Sequence, residues 1–436
     1  MINIAWKDTN WKPRFFSIWG GQAVSLFGSQ LVQFAIIWWL TQETGSATVL
    51  AYASLIGMLP EVILGPFAGT LVDRWKRRRV ILVADSAIAL ATIFLAYLFA
   101  MDAVGVGTIY ALLLVRGIGA SFHWPAMSAA SSLMVPKEEL TRVQGLNQML
   151  QGILRIIAAP LGALLLSLVQ IQSILMIDVG TALFAILPLA LISIPEVTKK
   201  DNGKQAVGQP SFWGEFRSGL KYVRSWPGLL ILMLMAMMIN FLLTPAGSLM
   251  PFLVSDYFEG GALQLGWLQS AFGFGMIAGG LVLSAWGGFK KRIRTSMVGL
   301  IGLGLGMLVM GFIPANLFWI AILSAFFAAA MLPFVNGPIH AIVQAVIEPE
   351  MQGRVFTLMG SLSAAMAPLG LIIAGPVADA IGVQSWYVIG GISAILMAVL
   401  GFSLPAVMNI EDNHREAAAL SQEKVDTAEP DGLQTR

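Results

Sequence analysis

The chain has 436 residues, of which 57% are hydrophobic and only 11% are charged. Soluble domains carry about 25% charged residues, so this composition excludes an ordinary soluble protein and indicates one that lies in lipid. The formal net charge of +2 gives no indication of nucleic-acid binding, and the absence of cysteine excludes disulfides, thiolate metal sites and cysteine nucleophiles.

Hydrophobic stretches of about 20 residues recur along the chain, and each is long enough to cross a hydrocarbon core about 30 Å thick. They predict six membrane spans within residues 1–194 and six more within residues 228–409. Between them, residues 195–227 are predicted to form a cytoplasmic connection with an interfacial amphipathic helix near 212–223, and residues 410–436 a disordered cytoplasmic tail. The predicted spans are 15–40, 46–72, 80–101, 106–134, 143–168, 173–194, 228–254, 264–288, 296–313, 317–345, 355–379 and 386–408.

The positions of the basic residues test the number and direction of these spans. Twelve spans with a cytoplasmic amino end place every second loop in the cytoplasm, and 24 of the 26 Lys and Arg residues then fall in cytoplasmic segments. The other two, Arg116 and Arg155, lie within spans. Because this distribution follows the positive-inside rule, we predict an all-α integral membrane protein of twelve helices with both chain ends in the cytoplasm.

The two halves of the chain repeat each other. Span 2 leads from glycine into a basic cluster over residues 69–79, and span 8 does so over residues 280–292. Residues 135–162 have a counterpart at residues 348–370, and both segments contain Ala-Pro-Leu-Gly. Repeated halves with a binding site at their interface are typical of secondary transporters.

Ionisable side chains inside spans cost about 2.5–3.5 kcal/mol each on insertion scales, so those present indicate function. If transport is coupled to protons, Glu61 is the first candidate carrier, because desolvation disfavours the charged form of a carboxyl. Arg116 is its expected partner, and the alternatives are a permanent pair that locks spans 2 and 4 or direct binding of a cationic substrate. Asp85 is a further candidate for proton coupling, although Asp85 and Asp178 are both expected chiefly to tie helix ends to their neighbours.

Polar and aromatic side chains on the spans are expected to line a substrate cavity, and ordinary helix packing is the alternative for each of them. A wall of aromatic residues with few charges suits bulky lipophilic compounds. Three scattered histidines predict no metal site. The cavity candidates are Gln22, Gln30, Gln33, Phe34, Trp38, Phe122, His123, Gln148, Gln151, Arg155, Asn240, Phe241, Asn336 and His340.

The segment 69–79 resembles the signature loop between spans 2 and 3 of the major facilitator superfamily. The resemblance implies two pseudo-symmetric six-helix bundles in the inner membrane of a bacterium. It also implies a gate at the cytoplasmic edge, whereas the alternative is a basic cluster that sets topology and contacts anionic lipid. The residues that would form this gate are Gly69, Asp73, Arg74, Arg77 and Arg78.

Within that superfamily, the amino half resembles the macrolide-efflux group of drug/proton antiporters. The segments that carry this resemblance are 19–25, 44–46, 66–74, 116–123 and 125–126. The implied activity is export of amphipathic or lipophilic small molecules by proton antiport with alternating access. The resemblance implies a monomer without a cofactor, whose partners are the substrate, protons and membrane lipids and not nucleic acid.

Several other functions are alternatives to this activity. Siderophore export, lysophospholipid transfer and uptake symport on the same fold remain alternatives. The sequence has no Gly-x4-Gly-Lys-Ser/Thr loop, so it does not predict an ATP-driven pump. A membrane-embedded enzyme would need clustered His, Asp or Glu, and a channel would need polar rings around one pore. We therefore expect a transporter and not an enzyme.

Overall fold

The computed structural model describes residues 11–194 and 212–411, and every element in these ranges is helical. Twelve of the helices are long and apolar enough to cross a membrane, which agrees with the twelve predicted spans. Most of the predicted cytoplasmic tail, 412–436, lies outside the described residues, and so does the first part of the predicted central connection, 195–211.

Six spanning helices form the first bundle, and a 3-10 turn at Lys137–Glu139 precedes the fifth. They are α1 (Trp11–Thr44), α2 (Ala47–Arg74), α3 (Arg77–Ala100), α4 (Val106–Met134), α5 (Leu140–Leu168) and α6 (Ile171–Leu191).

The second bundle follows α7 (Phe212–Ser225), which lies where the sequence predicts an amphipathic helix. Two of its connections contain short helical turns, a π turn at Leu253–Tyr257 and a 3-10 turn at Ala315–Leu317. Its helices are α8 (Pro227–Ser248), α9 (Met250–Phe252), α10 (Ala262–Trp286), α11 (Arg292–Phe312), α12 (Phe318–Val346), α13 (Pro349–Ile381), α14 (Gln384–Ser403) and α15 (Pro405–Met408).

Local sequence explains several helix boundaries. Ser46 caps α2, and its hydroxyl accepts the backbone N–H of Val49, which satisfies a donor that has no partner inside the helix. Proline occupies the first position of α8 and α15, namely Pro227 and Pro405, where its missing N–H costs no hydrogen bond. Gly287 ends α10 with a φ of +79°, a left-handed conformation that glycine adopts without a steric penalty.

Small residues allow close helix crossings in the second bundle. A Cβ atom at Gly275 or Gly279 of α10 would collide with the backbone carbonyl oxygen of Phe326 or Ala330 in α12. Because lipid gives helices no hydrophobic reason to associate, such backbone approach supplies the packing that holds spans together.

The two bundles meet on one side of the membrane. We name the side where α1 begins and α14 ends the terminal end, and the side of the α1–α2 connection the far end. At the far end one buried cluster joins the bundles and includes Ala47 and Leu50 of α2 with Leu371 and Ala374 of α13. We call it the joining cluster. Across the interface, α2 packs against α13 and α5 against α10.

At the terminal end the buried clusters are separate. One contains Phe15 and Val72 of the first bundle, and another contains Val346 and Val355 of the second. Neither of these two clusters includes a described residue of the other bundle. The described part of the chain is therefore closed at the far end, and its two bundles have independent cores at the terminal end.

Candidate functional site

A cavity of about 750 Å³ lies between the bundles, beside the joining cluster. This volume falls within the range of about 300–1,000 Å³ that is usual for drug-sized ligands. Helices α1 and α5 line it from the first bundle, and α8, α9, α10, α11, α12 and α14 from the second. Much of the wall is apolar, with Phe34, Met250, Phe272 and Met276 among its side chains. The cavity thus combines contributions from both halves of the chain.

Five of the cavity candidates from the sequence line this space, namely Gln30, Gln33, Phe34, Arg155 and Asn240. The amide of Asn240 also donates to Ala236 O of its own helix at 3.0 Å. Sequence reasoning missed several lining residues because no local pattern distinguishes them from packing residues. Those with polar side chains are Thr244, Gln269 and Tyr387, and the hydroxyl of Tyr387 donates to Ala246 O at 2.7 Å.

Four other candidates extend from the cavity toward the terminal end. Gln151 and Gln148 lie about one and two turns before Arg155 on α5, since four residues make slightly more than one turn. Asn336 and His340 lie about one and two turns beyond a lining residue of α12, Leu332. The ring of His340 stacks on Phe356 with centroids 5.8 Å apart. These candidates lie outside the cavity because they are nearer the terminal end than the lining residues of the same helices.

The remaining aromatic candidates pack inside the protein and do not line the cavity. Trp38 and Phe241 pack against the joining cluster. Phe122 lies beside Trp75 near the terminal end of the first bundle, with ring centroids 6.1 Å apart. For these residues, ordinary helix packing accounts for the observed position.

Arg155 carries the only charged side chain among the described residues that line the cavity. It is exposed, and its nearest recorded partner is a thioether, with Nη1 3.8 Å from Met276 Sδ. Thioether sulfur is a weak acceptor that carries no countercharge. The cavity therefore presents an uncompensated positive charge.

Gln22, Asp85 and His123 form a buried cluster between α1, α3 and α4. Gln22 Nε2 donates to Asp85 Oδ2 at 2.9 Å, and Gln22 Oε1 lies 3.0 Å from His123 Nε2. The same imidazole nitrogen is 3.3 Å from Asp85 Oδ1. The carboxylate is 8% exposed and the imidazole 16%. The sequence assigned Asp85 to proton coupling and the other two to the cavity, whereas the structure places all three together and away from the cavity lining.

The expected partnership between Glu61 and Arg116 is wrong. Arg116 Nη1 lies 3.2 Å from Asp178 Oδ2, and Nη2 donates to Ser29 O at 3.1 Å. The reason lies in the next residue, Gly117, where α4 packs closely against the backbone carbonyl of Gly57 in α2. Adjacent positions on a helix differ by about 100°, so Arg116 faces α1 and α6 and not Glu61.

Glu61 is an exposed carboxylate on α2. Glu61 follows Leu50 by 11 residues, and at about 100° per residue this separation makes three full turns plus about 20°. The two residues therefore lie on one face of α2. Leu50 is buried in the joining cluster, whereas Glu61 is exposed where the bundles no longer share a core. Among the described residues, no hydrogen bond or ion pair involves Glu61. This carboxylate is therefore exposed and has no recorded partner among the described residues.

The gate residues are described only in part. Arg78 donates to the carbonyl oxygens of Leu189 and Ala190 and so fastens the start of α3 to the end of α6. A cation at this position also interacts favourably with the negative end of the α6 dipole. The side chains of Asp73 and Arg74 lie outside the described part of the chain. The gate role of Gly69, Asp73, Arg74, Arg77 and Arg78 stays a prediction.

Asp379 of α13 caps α2 from the opposite bundle at the far end. Its carboxylate accepts hydrogen bonds from Ser46 Oγ at 3.0 Å, Ala47 N at 2.7 Å and Thr48 N at 3.0 Å. Backbone N–H groups at a helix start lack partners inside the helix and favour negative charge. Asp379 therefore links the bundles at the point where they must separate if the far end opens.

Replacing Asp379 with Ala should open the far end more often. Hydrogen bonds to charged groups contribute about 1.5–3 kcal/mol each, so loss of the set should raise the open population by at least about 10-fold. The native chain lacks cysteine, which makes an Ala51→Cys variant a specific reporter at this buried interface. Maleimide should label this cysteine faster when Asp379 is replaced.

Asp256 provides the matched control, because it is an exposed acid near the far end with no recorded hydrogen bond. Asp256→Asn should leave the labelling rate of the Ala51→Cys reporter unchanged. Equal rates in the Asp379→Ala and unmodified reporters would show that the carboxylate does not hold the far end closed.

Comparison with known proteins places this architecture in a family. The model of the Major Facilitator Superfamily matches residues 18–259 and 246–428. The macrolide efflux protein A of Streptococcus pyogenes is 36% identical over 394 residues, which cover 90% of this chain and 96% of that protein. The multidrug efflux pump Tap of Mycolicibacterium fortuitum is 28% identical over 398 residues, covering 88% of this chain and 94% of the pump.

A solved structure shares the fold at low sequence identity. A bacterial homologue of the human lysosomal transporter Spinster superposes with a TM-score of 0.64 at 16% identity, covering 93% of this chain and 98% of that chain. The twelve apolar helices and the bacterial relatives identify a multi-pass bacterial membrane protein. The chain belongs to the major facilitator superfamily, the family that the segment 69–79 indicated.

Proposed function

We propose that this protein exports amphipathic and lipophilic small molecules of macrolide or multidrug type by proton antiport with alternating access. The observation that carries this proposal is the mainly apolar cavity of about 750 Å³ between two bundles that share a buried cluster at one end only. Such a cavity can hold a bulky lipophilic compound and orient it through a few amide groups. The relatives named for macrolide efflux and multidrug efflux support the same class of substrate.

The arrangement of the bundles supports alternating access. The basic residues predict that the terminal end is cytoplasmic, and on that assignment the structure is closed to the outside. Rocking of the bundles about the cavity would break the Asp379 bonds and the joining cluster and bring the terminal ends together. Such movement of one half against the other around a fixed site is how repeated transporter halves operate.

Two sets of residues are available for proton coupling. Glu61 is exposed on α2 without a recorded partner among the described residues, and Asp85 is bonded to His123 and Gln22 inside the first bundle. Glu61 is the stronger candidate because closure of the terminal end would remove its face of α2 from water. A carboxylate that must leave water binds a proton to lose its charge, so the movement itself would couple proton binding to access.

Export can be tested in cells that lack their own efflux systems. Energised cells with the protein should accumulate less of a macrolide and of a lipophilic fluorescent dye than cells without it, and a proton uncoupler should abolish the difference. In inside-out vesicles, an imposed proton gradient should drive uptake of the same compounds.

The alternatives give different results in the same assays. Greater accumulation in energised cells would indicate uptake symport. Unchanged macrolide and dye levels together with export of a siderophore or transfer of a lysophospholipid would contradict the proposed substrate class. A difference that survives complete collapse of the proton gradient would contradict proton antiport.

A further inference from the structure

Arg155 gives the cavity a charge that no described lining residue balances. The described lining residues include no Asp or Glu, and the recorded contact of the guanidinium is the thioether of Met276. Asp85 and Asp178 are bonded elsewhere, to His123 and Arg116 respectively, and Glu61 is not among the residues that line the cavity. An arginine stays protonated in proteins, so this positive charge persists at every pH at which cells live.

A ligand in the cavity lies close to this charge. Two like charges about 6 Å apart at an effective dielectric constant of about 20 repel each other enough to weaken binding by at least about 10-fold. The other polar lining side chains are all neutral, namely the amides of Gln30, Gln33, Asn240 and Gln269 and the hydroxyls of Thr244 and Tyr387. Amides and guanidinium together supply many donors for hydroxyl, ether and carbonyl oxygens.

We propose that Arg155 is a specificity-determining residue that makes the cavity select neutral or anionic amphipathic compounds and reject permanent cations. This inference rests on the proposed function, since it assigns a charge class to the exported compounds. A substrate with a tertiary amine binds as the free base and leaves its proton in the surrounding water. A quaternary amine of the same shape has no uncharged form, and the cavity excludes it.

The test compares two ligands that differ only at the amine. Purified protein is titrated with a tertiary-amine macrolide, at a pH above the pKa of that amine, and with its quaternary N-methyl derivative. We expect the wild-type protein to bind the tertiary amine at least about 10-fold more tightly than the quaternary one. Arg155→Gln should bring the two affinities together, and Arg155→Glu should reverse the preference.

Two further variants distinguish an effect of the Arg155 charge from an effect on folding. Arg155→Lys keeps the charge and should keep the preference. Arg142→Gln removes a charge from the exposed end of the same helix, where the side chain is 77% exposed, and should leave the preference unchanged. Equal ratios in the wild type and Arg155→Gln would overturn the proposal.

A second pair of probes distinguishes failure of the charge filter from failure of the proposed substrate class. An anionic and a cationic fluorescent dye of similar size are titrated in the same variants. Preference for the anionic dye that disappears in Arg155→Gln, without binding of either macrolide, would support the filter and contradict macrolide export. Preference for the cationic dye, or no change between the wild type and Arg155→Gln with either pair, overturns the filter.

Discussion

Replacing Arg116 with Met is expected to lower the free energy of unfolding by about 3–5 kcal/mol, because Asp178 would remain buried without its ionic partner. The side chain of Asp178 is only 3% exposed, and its other recorded side-chain donor is the hydroxyl of Ser29 at 3.1 Å. Thermal unfolding of the purified protein, followed by tryptophan fluorescence, should show a clear fall in Tm.

Two controls identify the partner of Arg116. The double variant Arg116→Met, Asp178→Leu should recover most of the lost stability, because replacing both members of a buried ion pair with apolar residues is often neutral or stabilising. Glu61→Gln should leave Tm near the wild-type value, since no described hydrogen bond or ion pair involves Glu61. If Glu61→Gln destabilises the protein as much as Arg116→Met does, the pairing described here is wrong.

The depth of residues in the membrane could be predicted from the sequence, but the direction in which their side chains point could not. Hydrophobic length places Glu61, Arg116 and Asp178 within α2, α4 and α6, as the structure does. Spans that are apolar on all sides carry no periodic signal for the face that points inward. That face is decided by close contacts between helices, such as the approach of Gly117 to the carbonyl of Gly57, and these depend on two distant segments at once.

The same limit explains why only some of the residues that line the cavity could be predicted. Gln30 and Gln33 could be predicted because polar residues on a span otherwise built from apolar ones suggest a lined cavity. Tyr387 looks like its aromatic and apolar neighbours in the sequence, and only the packing of five second-bundle spans brings it to the cavity. The buried cluster of Asp85 and its two partners likewise depends on three helices meeting, which no spacing within one helix reveals.

Replacing Glu61 with Gln should abolish uphill export while leaving movement of substrate down its gradient. Glutamine keeps nearly the same shape but cannot exchange a proton, so closure of the terminal end no longer depends on proton binding. In vesicles with an imposed proton gradient, substrate should equilibrate and not accumulate. Glu61→Asp, which keeps the carboxyl, should retain uphill export at a lower rate.

Proton movement measured directly on the purified protein decides between Glu61 and the Asp85 cluster. Substrate added to weakly buffered protein with a pH-sensitive dye should change the number of bound protons in the wild type and in Asp85→Asn, but not in Glu61→Gln. In the proposed movement Asp85, which lies inside one bundle, would keep its neighbours, whereas the face of Glu61 would exchange water for protein. A proton signal that persists in Glu61→Gln and vanishes in Asp85→Asn would instead place coupling at the cluster of Asp85, His123 and Gln22.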